Sequence, residues 1–322
     1  MNRSDRESVL IASMVSRCPH PPSPNGPGDD AAILSHNGER TRVVTTDMLT
    51  EDTHFLRRHP PELLGQKVLA VNLSDLAAMG ADPGSFVLSA AIPADMPALW
   101  WERLSEGLGN YASRLGAQLV GGDVVRTEGK VCLSVTAWGS ASGGSVLTRS
   151  GGKPGDRLMV LGPVGRSLAG LKAWRSWDHG IGWALDIPDR IDPALRHHLA
   201  PDPDLAAGPW ALENGAHAAM DLSDGLLMDA PRMASSSGVE LRIDLGLLPH
   251  DPLTGPMSAQ ERASGGEDLG LLVLVPARLE DTFANRGFVS IGRAAPSSRI
   301  GAVRWMEDGK PITVEVAPFR HF

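Results

Sequence analysis

Apolar runs of two different periods alternate along this chain, and the positions where they stop carry most of its polar chemistry. Val9, Leu10, Met14 and Val15 recur at helical spacing behind Ser4 and Glu7, which have the spacing of a capping box, and predict a first helix. Pro19, Pro21, Pro22, Pro24 and Pro27 then exclude regular structure, so Gly28-Asp29-Asp30 is entered from a loop. Short β-rich runs follow at Ala31–Leu34 and Arg42–Thr46. Pro60-Pro61 opens a helix in which Leu63, Leu64, Val68, Leu69, Leu73, Leu76 and Ala77 keep the helical period up to Gly80. Asp75 therefore projects from an otherwise apolar cylinder. A strand at Phe86–Ile92, a helix near Pro97–Leu115, and strands at Gln118–Val120 and Val131–Trp138 complete an α+β first half.

The second half opens with a strand at Arg157–Leu161 and a helix near Arg166. A strand at Ala218–Leu222 leads into a helix starting at Ser223, and strands follow at Leu241–Ile243 and Leu271–Val275. From Trp177 to Pro203 the Pro and His content leaves no readable period. Ala141-Ser142-Gly143-Gly144-Ser145 has linker composition, and 322 residues exceed the usual single core, so two domains are expected, 1–140 and 146–322.

Charge narrows the choice of partners. A net charge of -8 disfavours nucleic acid and anionic membrane, and an anionic phosphate ligand would need cations supplied locally. Cys18 and Cys132 are too few for a disulfide framework or a thiolate metal site. The first residues are charged, no signal-like apolar core follows, and no apolar stretch approaches the ~20 residues of a membrane span. A reduced, cytoplasmic protein is expected.

Six clusters set carboxylates beside glycine or hydroxyl residues at the ends of apolar runs. They are Gly28-Asp29-Asp30, Thr45-Thr46-Asp47, Asn72-Leu73-Ser74-Asp75, Gly121-Gly122-Asp123, Asp221-Leu222-Ser223-Asp224-Gly225 and Gly265-Gly266-Glu267-Asp268. Hard oxygen donors on permissive backbone suit Mg²⁺ rather than Zn²⁺, and phosphate is the natural cargo. Taken singly, each cluster has a plainer reading: Ser223 as a helix cap, Gly121-Gly122-Asp123 as a turn between strands, His54 as a surface residue. Asp75 and Asp47 resist it, because a carboxylate on an apolar element needs a partner or a cation. Arg149 beside a glycine turn has the chemistry to contact phosphate oxygens. The common nucleotide and kinase motifs are absent, so any nucleotide is held by another device.

The ordered run of these motifs resembles the thiamine-monophosphate kinase family, of the superfamily that includes aminoimidazole ribonucleotide synthetase. The likeness spans Gly28 to Ala32, Thr45 to Leu49 with His54-Phe55, Val71 to Ala81, Gly121 to Asp123, Thr148 to Gly151, Lys153 to Asp156, Asp221 to Leu226, Ser264 to Asp268 and the terminal His321-Phe322. It implies a two-domain synthetase-like kinase fold, with an N-terminal sheet completing a barrel across a homodimer and a C-terminal α/β domain. It implies that Asp30, Thr45, Thr46, Asp47, Asp75, Asp123, Asp221 and Asp224 hold several Mg²⁺ ions, with Asp47, Asp75 and Asp221 central to catalysis. By the same likeness Gly122, Asp123, Arg149 and Ser223 contact ATP, while His54, Glu267 and Phe319 line the thiamine monophosphate site. The implied activity is direct in-line phosphoryl transfer from ATP to thiamine monophosphate. Another ATP-dependent enzyme of the superfamily, or a nucleotide-binding regulatory protein without turnover, is the alternative. The chain departs from the family pattern at Val124-Val125, Asp204, Leu269-Gly270 and Arg320, none of which replaces a metal carboxylate.

Overall fold

A computed structural model describes residues 6–19, 21, 27–37, 40–176, 182–185, 187, 191–297, 299 and 301–317. Ser4, the start of the possible capping box, and Phe319, which the resemblance places at the substrate site, lie outside the described residues.

The first half contains α1 (Arg6–Val15), β1 (Ala32–Asn37), β2 (Arg40–Thr50), α2 (Pro61–Ala78), β3 (Asp82–Pro93), α3 (Ala98–Leu115), β4 (Gln118–Thr127) and β5 (Cys132–Ser142). Its sheet has the order β1-β2-β5-β3-β4, antiparallel except where β3 and β4 run parallel across the α3 connection. Residues of β5 alternate between buried and half-buried, because α2 covers one face of the sheet and leaves the other open. α2 is buried on nearly all sides, which is why its apolar residues are not confined to one face, and Lys67, Asn72 and Ser74 are buried among them. Against its outer side α3 crosses at backbone contact: a Cβ on Gly107 would lie 2.0 Å from the Glu62 carbonyl oxygen, and one on Gly65 2.2 Å from that of Leu104.

The second half contains β6 (Arg157–Leu161), α4 (Arg166–Ser176), α5 (Pro193–Leu199), α6 (Ala207–Glu213), β7 (Ala218–Leu222), α7 (Leu226–Ser237), β8 (Val239–Asp244), α8 (Ala259–Ser264), β9 (Gly270–Val275), α9 (Glu280–Arg286), β10 (Val289–Pro296), β11 (Val303–Glu307) and β12 (Lys310–Pro311). The mixed sheet runs β12-β11-β8-β10-β6-β9-β7. β7 and β9 are buried on both faces, and so read as unbroken apolar runs. Leu158, Met220 and Leu272 pack with Ala230 and Met233 of α7, while Ala219 and Val273 pack on the other side with Ala211 of α6 and Phe283 of α9.

Two local expectations are corrected. Gly121-Gly122-Asp123 is not a turn but the middle of β4, where a Cβ on Gly122 would meet the Leu88 carbonyl oxygen at 2.1 Å. Ser223 does not cap α7, which begins three residues later behind Gly225. The apolar residues of α1 do not form core: Val9, Leu10 and Met14 are exposed. The sheets are not closed into a barrel within the single chain. Among the described residues no helix is long and apolar enough to cross a membrane.

Candidate active site

Three carboxylates from three kinds of element meet where the two sheets approach each other. Asp30 comes from the loop before β1, Asp75 from the last turn of α2, and Asp221 from the end of β7. One oxygen from each lies within 4.8 Å of the others. Asp30 is held by Arg149, whose Nε donates to Oδ1 at 2.9 Å and whose Nη2 donates to the same oxygen. The neighbouring Asp29 accepts the Arg149 backbone N–H at 2.6 Å, so this loop is clipped to the start of the second half. Asp75 accepts from the Thr45 hydroxyl at 2.6 Å. Asp221 accepts from Ser74 at 2.8 Å and from Ser223 at 3.1 Å.

Burial and mutual repulsion push these acids towards their protonated forms. Desolvation raises the Asp30 carboxyl to about 7, opposed by Arg149 and assisted by Asp221. Burial also raises Asp75, with Asp221, Asp47 and Asp30 adding to the effect. Asp47 stands at about 6, through burial and then the charges of Asp221 and Asp224. Its backbone N–H is anchored on buried Asn72 at 3.0 Å. Asp224 continues the acidic surface outward, paired with Arg232. Asp30 Oδ2 is buried and finds no hydrogen-bond partner among the described residues. Crowded hard oxygens with an orphaned acceptor and no nitrogen or sulfur donor fit a divalent cation of the magnesium type. The residues that would hold it are Asp30, Asp75 and Asp221, flanked by Asp47.

Thr46 and Asp123 are not brought to this centre. Asp47, Val135, Leu88 and Gly122 form one cross-strand row, whereas Thr46 and Asp123 belong to the neighbouring rows whose side chains leave the opposite face. The Thr46 hydroxyl donates to the Val135 carbonyl and accepts from Thr136 on that open face. Gly122 and Asp123 are exposed, three strands from β2 and hence roughly 14 Å away.

His54 and Glu267 form a second group. His54 Nδ1 meets the Thr50 N–H at 3.1 Å within a tight turn. Glu267 and Leu269 have left-handed backbone, with φ 63° and 53°. Non-glycine residues there cost on the order of 1–3 kcal/mol each and persist where the surroundings over-determine them. Here Glu267 N–H donates to the Ser223 carbonyl at 2.7 Å, Leu269 N–H donates to that of Leu222 at 3.0 Å, and the Asp268 carboxylate accepts from Ser167 N–H at 2.7 Å. The Gly265-to-Leu269 loop is thereby locked against the strand end that carries Asp221.

Sequence reasoning left several contributors without a role. Ser74 and Asn72 sit inside a motif it noticed, and their contacts depend on which way α2 faces. Buried Asp229 accepts from the Asp224 backbone N–H at 3.1 Å, yet has no glycine or hydroxyl neighbour to mark it. Lys67 carried a readable signal, a lone cation within the apolar stripe of α2.

A two-domain α+β fold with a carboxylate centre between its sheets defines a class. The AIR synthase related protein N-terminal domain matches residues 28–141 and the corresponding C-terminal domain matches 153–302. Within that class the chain belongs to the thiamine-monophosphate kinase family. It is 36% identical over 310 residues to the thiamine-monophosphate kinase of Escherichia coli K12, covering 92% of this chain and 91% of that one. It is 38% identical over 301 residues to that of Mycobacterium tuberculosis H37Rv, covering 89% and 83%. A solved structure of AaThiL complexed with AMPPCP and TMP superposes with a TM-score of 0.82 at 27% identity, covering 99% of this chain and 97% of that one.

Proposed function

We propose that the protein transfers the γ-phosphoryl group of ATP to the phosphate of thiamine monophosphate, giving thiamine diphosphate and ADP. The observation that carries this reading is the convergence of Asp30, Asp75 and Asp221, with an orphaned buried oxygen, in a chain of this family. The solved relative holding an ATP analogue together with TMP supports the pairing of substrates. Magnesium, held by Asp30, Asp75 and Asp221, would supply the positive charge that offsets the repulsion of two anionic phosphates and stabilises the transferring group.

The chain's own residues set that chemistry up. Arg149, tied to Asp30, brings a guanidinium to the edge of the centre, where it can fork onto phosphate oxygens. Ser223 holds Asp221 in position and marks the nucleotide side, while His54 and Glu267 line the acceptor side. An acceptor phosphate is already ionised near neutral pH, so no general base is required. The domains divide as 1–140 and 146–322, and the protein works as a homodimer whose two N-terminal sheets complete one barrel. Supporting the dimer, Leu119, Val120, Val124 and Val125 are exposed along edge strand β4.

Product analysis with ATP, Mg²⁺ and thiamine monophosphate, with free thiamine as control acceptor, tests the reading. Thiamine diphosphate and ADP in equal amounts are expected from the monophosphate alone. ATP binding without either product would overturn it.

A further inference from the structure

Lys67 is 0% exposed in the middle of α2, among Leu64, Val68 and Leu69. An ammonium group has three protons to donate, and three segments of the chain meet it here. Glu267 Oε1 lies 2.9 Å from Nζ, and the carbonyl oxygens of His54 and His198 each accept at 3.3 Å. His54 belongs to the turn after β2, His198 to α5, and Glu267 to the locked loop before β9.

The other groups around this lysine leave the carboxylate as its counter-charge. Burial first, and then the Lys67 charge, depress His59 to about 3 and His198 well below the usual histidine range, so both rings are neutral. His59 spends Nε2 on the Leu199 carbonyl at 2.8 Å, and His198 spends Nδ1 on Ser167 at 2.9 Å. Among the described residues Glu267 is the carboxylate paired with Lys67. A buried cation demands such a partner, so Glu267 Oε1 is pinned inward. Its second oxygen, Oε2, stays 3.6 Å from His198 Nδ1 and is the part of the group left for a ligand.

Resting on the acceptor reading above, we propose that Lys67 is a positioning residue for acceptor recognition. It fixes the Glu267 carboxylate, so that the cationic portion of the acceptor meets a carboxylate edge of set orientation. Lys67 is remote from the carboxylate centre in contacts and touches neither Asp75 nor Asp221 among its hydrogen bonds and ion pairs. Its effect therefore falls on the acceptor rather than on ATP.

The test uses the 322-residue enzyme and the variants Lys67→Met, Glu267→Met and the double variant, with the KM for each substrate and kcat measured. Lys67→Met is expected to raise the KM for thiamine monophosphate about tenfold while the KM for ATP stays within about twofold. The double variant is expected to match Glu267→Met, because a residue acting through another adds nothing once that other is gone. Glu267→Met leaves the buried Lys67 ammonium without its counter-charge, so where either single variant does not fold the double variant is compared with the unmodified enzyme, and it is expected to raise the KM for thiamine monophosphate while that for ATP stays within about twofold. Equal loss of affinity for both substrates, an unchanged acceptor KM, or a further loss in the double variant beyond Glu267→Met would overturn the inference. Absence of product from the unmodified enzyme would instead overturn the acceptor reading, whatever the variants do.

Discussion

At the scale of single residues, the carboxylate centre should make the protein sensitive to pH and to divalent cations in a linked way. The Asp30 and Asp47 carboxyls stand at about 7 and about 6 against an ordinary value of 3.8, so the folded chain binds more protons than the unfolded chain between those limits. The stability they contribute without metal is fully present below the ordinary value and is lost as pH rises through 6 to 7. Cation binding requires the ionised forms, so Mg²⁺ should raise the melting temperature more at pH 7.5 than at pH 5.5. An equal Mg²⁺ effect at both pH values would contradict the assignment. Asp75→Asn and Asp47→Asn should each lower kcat on the order of 100-fold or more, since each removes a carboxylate that would hold the cation at the transferring group. Both variants should remain folded by circular dichroism, because neutralising a crowded acid also removes repulsion. Undiminished turnover in either would exclude that residue from the centre.

At the scale of elements, α2, which carries Asp75 and Lys67, crosses α3 at backbone contact. Gly107 and Gly109 lie two residues apart on α3 and so face roughly opposite sides of it: a Cβ on Gly107 would strike the Glu62 carbonyl at 2.0 Å, whereas one on Gly109 meets nothing within 4 Å. Gly107→Ala should therefore destabilise the fold by about 1–3 kcal/mol through forced separation of the helices. Gly109→Ala should be neutral or stabilise by up to about 1 kcal/mol through helix propensity. Urea denaturation midpoints of the two variants separate these outcomes, and a similar shift in both would refute the crossing argument. Both helices were legible in the sequence, since α2 announces itself by Pro60-Pro61, a long apolar period and Gly80. That α2 is covered on nearly all sides was less so, because apolar residues all round a helix say that it is buried but not by what.

At the scale of the whole molecule, β4 is the exposed feature that calls for a partner. Leu119 and Val120 are 59% and 61% exposed, and Val124 and Val125 are 52% and 50% exposed, on an unpaired sheet edge. Covering this strand with a second copy would remove apolar area and edge hydrogen-bonding groups from water together. Val124→Lys should shift sedimentation from dimer towards monomer at micromolar concentrations, with a loss of activity in proportion. An unmodified protein that stays monomeric and fully active across a wide concentration range would exclude the shared barrel.

The sequence by itself determined the acidic clusters, the short strands that precede them, the apolar helix bearing Asp75, and the likeness to a kinase family. These are local properties: periodicity, glycine and proline punctuation, and the order of motifs are written residue by residue. The resemblance grouped Asp30, Asp75 and Asp221 with five other residues, and tertiary structure decided that these three carboxylates meet within 4.8 Å, since a loop, a helix and a strand come together there only after both sheets have packed. Tertiary structure also decided that Thr46 and Asp123 face away. Side chains alternate along a strand, so a shift of one residue in position changes the face, and pairing register is set by neighbouring strands distant in sequence. Lys67 shows the same limit: its charge stood out in an apolar helix, but its three acceptors come from segments that only folding brings together.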